Sequence, residues 1–295
     1  MLSFFFLTAP SLLLRPSGAP TVGGRQQPQP RMQLAPVANK LLVIGGNGFV
    51  GREVCKNAVK AGYKVTSLSR RGECPKPGDE LLSQVEWRAG NALDKAVVSK
   101  MVGEADAVVH CIGLLFDVDS GLKILNTFTS ASGSKPDDSS TYDRITRETM
   151  FNVVDAINGK LTLLPPPLGT PMPMAFISCA EAGWPDVQFG EQVEEASPDW
   201  LKRYLAAKRS VEAKLASTNK LRPIIYRPSL IWDWKKFDVL PVIPVFNIAS
   251  ALGVPFIDKT VRVEDLGKAI VAGLVDAEVS GVQRFAQIES LAEAL

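Results

Sequence analysis

Apolar residues in this chain fall into short continuous runs separated by segments of helical period. Leu41-Leu42-Val43-Ile44 is a run of strand length, and a helical pattern follows over residues 49–61, closed by Ala61-Gly62. Residues 64–69, 85–89 and 107–112 read as three further strands, and residues 93–102, between the last two, have helical spacing. Alternation of this kind predicts an α/β fold, a doubly wound parallel sheet covered by helices. Residues 120–140 are loop-like. Residues 142–158 read as a helix with Ile145, Thr149, Asn152, Val153 and Ala156 on related faces. Residues 161–173 hold five prolines and read as a linker, 175–178 as a fifth strand, 179–199 as a polar loop, and 199–217 and 263–276 as helices. The nineteen residues 239–257 carry no charge, but Pro241, Pro244 and Pro255 interrupt them, which argues against a membrane-spanning helix.

Composition changes this picture mainly at the start. No acid occurs before Glu53, whereas Arg15, Arg25 and Arg31 do, and a short apolar start gives way to Ser, Pro, Gln and Arg. Residues 1–36 therefore read as an organelle-targeting leader, with mitochondrion and plastid both open, and residues 37–295 as the folded part. A net charge of +2 over 295 residues gives no sign of a nucleic-acid surface. Four scattered cysteines and a single histidine, His110, exclude a zinc cluster or a His-based triad and suit a reducing compartment. His110 lies in an apolar strand and reads as a core histidine bonded to backbone.

The chemistry begins at Gly45-Gly46-Asn47-Gly48-Phe49-Val50-Gly51, where the first strand turns into the first helix. At a dinucleotide site Gly45 allows the turn, Gly48 lets backbone approach a pyrophosphate, and Gly51 lets helix pack on strand. The helix start turns N–H groups and partial positive charge toward phosphate. The second strand ends in Ser69-Arg70-Arg71, where NAD sites carry an acid for the ribose 2′-hydroxyl. Two guanidiniums and a hydroxyl suit a 2′-phosphate, so NADPH is expected over NADH. A plain solvated turn is the alternative. Cys111-Ile112-Gly113 closes the fourth strand, where backbone passes a cofactor in such a sheet.

Tyr204 and Lys208 stand four apart on a strong helix and share a face. A nearby ammonium lowers a phenol's pKa from ~10, and such a pair serves as general acid toward a carbonyl beside a nicotinamide. An ordinary amphipathic helix has the same spacing.

With these motifs, and with Arg227-Pro228-Ser229 and residues 261–269, the chain resembles the short-chain dehydrogenase/reductase superfamily in its extended or atypical branch, Rossmann-like in fold, from about residue 40 to the end. Residues 45–71 and 281–285 are most similar to organellar proteins related to a coenzyme Q biosynthesis factor and to the NADPH-binding accessory subunit of respiratory complex I. The resemblance implies that Gly45, Gly48 and Gly51 hold the pyrophosphate, Arg70 and Arg71 the 2′-phosphate, and Asn91-Ala92 flank the adenine. It also implies that Lys208 binds ribose hydroxyls and tunes Tyr204, and that Pro228 lies beside the nicotinamide. A small cap, mainly within residues 229–262 and 277–295, covers an apolar substrate or partner. Two positions depart from the family. Its catalytic hydroxyl commonly falls where this chain has Ala180, leaving Ser178 to polarise an oxygen or line the cofactor pocket. An Asn common in the helix after the fourth strand is Thr146 here.

Two functions follow as expectations. The first is an NADPH-dependent organellar oxidoreductase, soluble or peripherally membrane-associated, acting on an apolar carbonyl or quinone-type substrate with Tyr204, Lys208 and Ser178. The alternative is a non-catalytic NADPH-binding accessory or assembly subunit of a membrane-associated respiratory or photosynthetic complex.

Overall fold

The computed structural model describes residues 39–122, 137–160, 171–234 and 243–295. The expected leader lies outside these residues, as do parts of the loop at 120–140, the proline-rich linker and the uncharged stretch. The strands are β1 (Lys40–Ile44), β2 (Lys64–Ser69), β3 (Glu86–Ala89), β4 (Ala107–His110), β5 (Met172–Ile177), β6 (Leu221–Tyr226), β7 (Ile231–Trp232), β8 (Val261–Arg262) and β9 (Gly281–Gln283). The helices are α1 (Phe49–Lys60), α2 (Lys95–Gly103), α3 (Thr149–Gly159), α4 (Gly190–Glu195), α5 (Asp199–Ala216), α6 (Ile243–Ala251), α7 (Val263–Val275) and α8 (Phe285–Glu293). A wider, π-type turn over Asp143–Glu148 leads into α3.

Seven strands form one parallel sheet in the order β3-β2-β1-β4-β5-β6-β9, the doubly wound architecture expected. Successive side chains of β1 point to opposite faces, and both faces are covered, so the strand is apolar throughout. Leu41 and Val43 pack with Val54 and Ala58 of α1 and with Leu266 and Ile270 of α7. Leu42 and Ile44 pack on the other side with Val98 of α2, Val153 of α3 and Val211 of α5.

Three expectations are corrected. β5 begins at Met172, inside the stretch read as linker, and includes Pro173. The Met172 and Ser178 N–H groups reach carbonyls on the β6 side. By alternation the Pro173 nitrogen faces β4, where pairing begins only at Met174, so no ladder bond is lost. The polar loop at 179–199 contains a 3₁₀ turn, Ala180–Asp186, and the short α4. Within 277–295, expected as cap, β9 pairs with β6 in the main sheet, its register running from Ile224↔Gly281 to Tyr226↔Gln283. α8 packs through Ile288 into the core shared by α1 and α7.

Arg222 fastens this end of the sheet. Its guanidinium donates to the Gly273, Leu274 and Asp276 carbonyls at 3.0, 3.0 and 3.1 Å, and to the Val279 carbonyl, closing the C-terminus of α7.

Candidate nucleotide site

The C-terminal ends of β1, β2, β4, β5 and β6 bring most of the expected residues to one edge of the sheet. Gly45 has φ of +85°, a left-handed conformation that favours glycine, and its N–H donates to the Leu68 carbonyl at 2.8 Å. A Cβ on Gly51 would lie 2.2 Å from the Gly45 oxygen, so this glycine sets how closely α1 approaches β1. Gly46 is also confined, by Ser67 and Cys55. Toward the outside there is room: a Cβ on Gly48 would meet only the Gly45 oxygen, at 3.1 Å, and one on Gly113 would meet nothing. No side chain caps α1 at Gly48. Backbone can be approached closely here, with helix N–H groups presented to an anion, and the residues present fit a pyrophosphate.

At the end of β2, Ser69 accepts the Gly72 N–H at 3.1 Å and shapes the turn carrying Arg70 and Arg71. Arg70 is exposed and pairs with Asp137 at 3.7 Å, a contact with no signal in the sequence. After β3, the Asn91 side chain accepts the Leu93 N–H at 3.0 Å, while Ala92 is buried. Asn152 of α3 donates to the Ala92 and Leu93 carbonyls at 3.1 and 3.2 Å and ties this loop down. Its place on the inner side of an apolar helix is the signal that could have marked it.

The loops after β5 and β6 are joined by an Ala180 N–H bond to the Pro228 carbonyl at 2.9 Å. Ser178 is buried and its Oγ has no protein partner among the described residues. An orphaned buried hydroxyl at this edge suits a bound polar group. Lys208 is buried and its Nζ donates to the Ile177 carbonyl at 2.7 Å. Burial lowers its pKa. The ammonium also lies 4.9 Å from the Phe176 ring centre and 5.5 Å from that of Tyr204. Among the described residues the bond to Ile177 is the hydrogen bond its Nζ makes, and an ammonium has three donors.

The expected tuning of Tyr204 is not what the environment does. Burial raises the phenol well above its usual range, and Cys179, Glu181 and Tyr142 push the same way. Its ring meets that of Tyr142 edge-on, 5.5 Å between centres. Burial also raises the Cys179 thiol to about 12 and lifts the Glu181 carboxyl. Cys179 and Glu181 carry no signal in the sequence as neighbours of Tyr204, because they stand in a stretch that reads as loop. His110 is a core residue, but its partner is a side chain and not backbone. The Thr149 hydroxyl donates to the Ile145 carbonyl at 2.7 Å, so the His110 Nε2–H donates to Thr149 at 2.9 Å. Burial, helped by Lys208, lowers the His110 pKa to about 3.

A doubly wound parallel sheet with a glycine turn between β1 and α1 defines the class: a Rossmann-like α/β fold. Residues 41–132 match the NAD dependent epimerase/dehydratase family model, and the resemblance to the extended branch of the short-chain dehydrogenase/reductase superfamily is borne out. A putative epimerase from Burkholderia cenocepacia has the same fold at a TM-score of 0.55 and 18% identity, covering 87% of this chain and 80% of that one. The Bordetella bronchiseptica enzyme WbmF, solved with NAD+, gives 0.51 and 16%, covering 86% and 76%. Among curated proteins, MIOREX complex component 2 of Saccharomyces cerevisiae is 27% identical over 216 residues, 66% of this chain and 73% of that protein. An uncharacterized chloroplastic protein of Arabidopsis thaliana is 41% identical over 76 residues, 26% of this chain and 25% of its own length.

Proposed function

We propose that this protein binds NADPH in an organelle as an accessory subunit of a membrane-associated complex, holding the nucleotide without transferring hydride. The observation that carries the second half is the surroundings of Tyr204. The position that would polarise a carbonyl is Ala180, and burial, with Cys179 and Glu181 pushing the same way, holds the phenol well above its usual range. Gly45 to Gly51 and the start of α1 would hold the pyrophosphate, Arg70 and Arg71 the 2′-phosphate, Asn91 and Ala92 would flank the adenine, and Lys208 would hold ribose hydroxyls. Ser178, Ile112, Gly113 and Pro228 would line the nicotinamide end. When bound, the nicotinamide supplies hydride chemistry in principle. The chain's own groups there would bind and orient, and burial opposes ionisation of the Tyr204 phenol.

Two further points support this reading. The yeast relative is described as a complex component and the plant relative as chloroplastic, which agrees with the expectation of an organelle-targeting leader. Val245 and Ile248 of α6 and Leu252 just beyond it are exposed apolar residues, the kind of surface a partner subunit covers. No helix among the described residues is long and apolar enough to cross a membrane.

The second reading, an NADPH-dependent oxidoreductase of an apolar carbonyl or quinone, is favoured by the shared face of Tyr204 and Lys208 at the sheet edge. One experiment separates the two. Purified protein is titrated with NADPH and then offered quinones and carbonyls, as wild type and as Tyr204→Phe. The accessory reading expects saturable binding, no oxidation above background, and affinity within about twofold in the variant, the margin of a surface-scale effect. Oxidation that disappears with Tyr204→Phe would establish the enzyme instead.

A further inference from the structure

Arg70 carries its own anion. Its guanidinium pairs with the Asp137 carboxylate at 3.7 Å, across 67 positions of chain, at the mouth of the expected 2′-phosphate site. The acid is held by hydrogen bonds within its own loop. One carboxylate oxygen accepts the Ser139 N–H at 2.8 Å, the Ser139 hydroxyl at 2.7 Å and the Ser140 hydroxyl at 3.0 Å. The Asp137 N–H in turn donates to the Ser140 hydroxyl at 3.0 Å. The other oxygen is the one directed at Arg70. Both side chains are more than half exposed, so a ligand can reach between them.

We propose that Asp137 sets nucleotide selectivity by competing with the 2′-phosphate for Arg70. This rests on the reading of Arg70 as a 2′-phosphate residue and adds to it. A phosphate docking on Arg70 must displace the carboxylate or lie beside it, and both cost binding energy. NADH brings a neutral 2′-hydroxyl, leaves the ion pair in place and can donate to the carboxylate. The chain thus returns, from a distant loop, the acid that NAD sites carry at the end of the second strand. The consequence is a preference for NADPH narrower than two arginines alone would give. The same serine bonds, with Arg70, hold the carboxyl below its usual range, so the competitor stays charged at neutral pH.

The test is equilibrium binding of 2′,5′-ADP, 5′-AMP, NADPH and NADH to the full chain, as wild type, Asp137→Asn, Arg70→Ala and the double variant. Asp137→Asn should tighten 2′,5′-ADP and NADPH by about fivefold, the upper worth of an exposed ion pair. It should leave 5′-AMP within about twofold and not tighten NADH. In the Arg70→Ala background Asp137→Asn should have no effect, which separates local competition from a general change of charge. If Asp137→Asn leaves 2′,5′-ADP unchanged while Arg70→Ala weakens it, the competition is refuted and the 2′-phosphate reading stands. If Arg70→Ala leaves 2′,5′-ADP unchanged, that reading itself fails. A shift in Asp137→Asn that survives without Arg70 also overturns the proposal.

Discussion

Replacing Gly51 with alanine puts a methyl carbon where the turn has none to spare. The new Cβ would lie 2.2 Å from the Gly45 oxygen, 2.7 Å from the Gly46 Cα and 2.9 Å from the Gly45 carbonyl carbon. All three are backbone, so no side chain can swing aside. A carbon–oxygen contact needs ~3.3 Å, so α1 must retreat from β1 by about 1 Å. Overpacking of this kind costs up to about 3 kcal/mol, and the better helix propensity of alanine returns at most about 1 kcal/mol. The expected loss of stability is about 2 kcal/mol, read by urea unfolding. The same retreat moves the N–H groups at the start of α1 away from the phosphates. Losing one charge-assisted bond should raise the NADPH Kd at least tenfold, about 1.4 kcal/mol or more. Gly113→Ala is the control. Its Cβ meets no protein atom, so stability should hold within about 0.5 kcal/mol while NADPH binding weakens against the added methyl. If Gly51→Ala is as stable as wild type and binds NADPH as well, the close-packed turn is not what shapes the site. If Gly113→Ala binds normally, the nucleotide does not run past β4.

Two further variants probe the scaffold. His110 has a folded-state pKa of about 3 against an ordinary 6.5, so only the unfolded chain takes up its proton between those values and stability falls as pH drops through that window. His110→Phe should remove about 1.4 kcal/mol of that loss per pH unit, seen in urea midpoints from pH 7 to 4; parallel profiles would refute it. Arg222→Ala strips the carbonyls at the end of α7 of their shared donor and should cost about 2 kcal/mol with a matching fall in Tm, whereas an unchanged Tm would mean water satisfies those carbonyls equally well.

The β1–turn–α1 unit was legible because it is built from local signals: a run buried on both faces, glycine spacing and a helical period. The Tyr204–Lys208 pair was legible as a shared helix face, but spacing carries no information on where an ammonium points. That is decided by the Ile177 carbonyl, on a strand more than thirty residues away, within hydrogen-bond reach at 2.7 Å. The phenol's surroundings depend likewise on Cys179 and Glu181, whose short 3₁₀ turn has no period to read. β9 is three residues long and joins the sheet through its register with β6 alone. Arg70 carries the expectation of an anion site in its position alone, whereas its partner Asp137 comes from a loop that only the folded chain brings near. Local pattern thus carried the glycine turn and the arginine pair, and long-range contacts set their surroundings.

Titration of the purified full chain with NADPH and with NADH tests the central claim most directly. The account predicts saturable binding of both, with NADPH the tighter by a margin that Arg70→Ala narrows. Absence of saturable binding, or an NADH affinity equal to that for NADPH in the wild type, would contradict it.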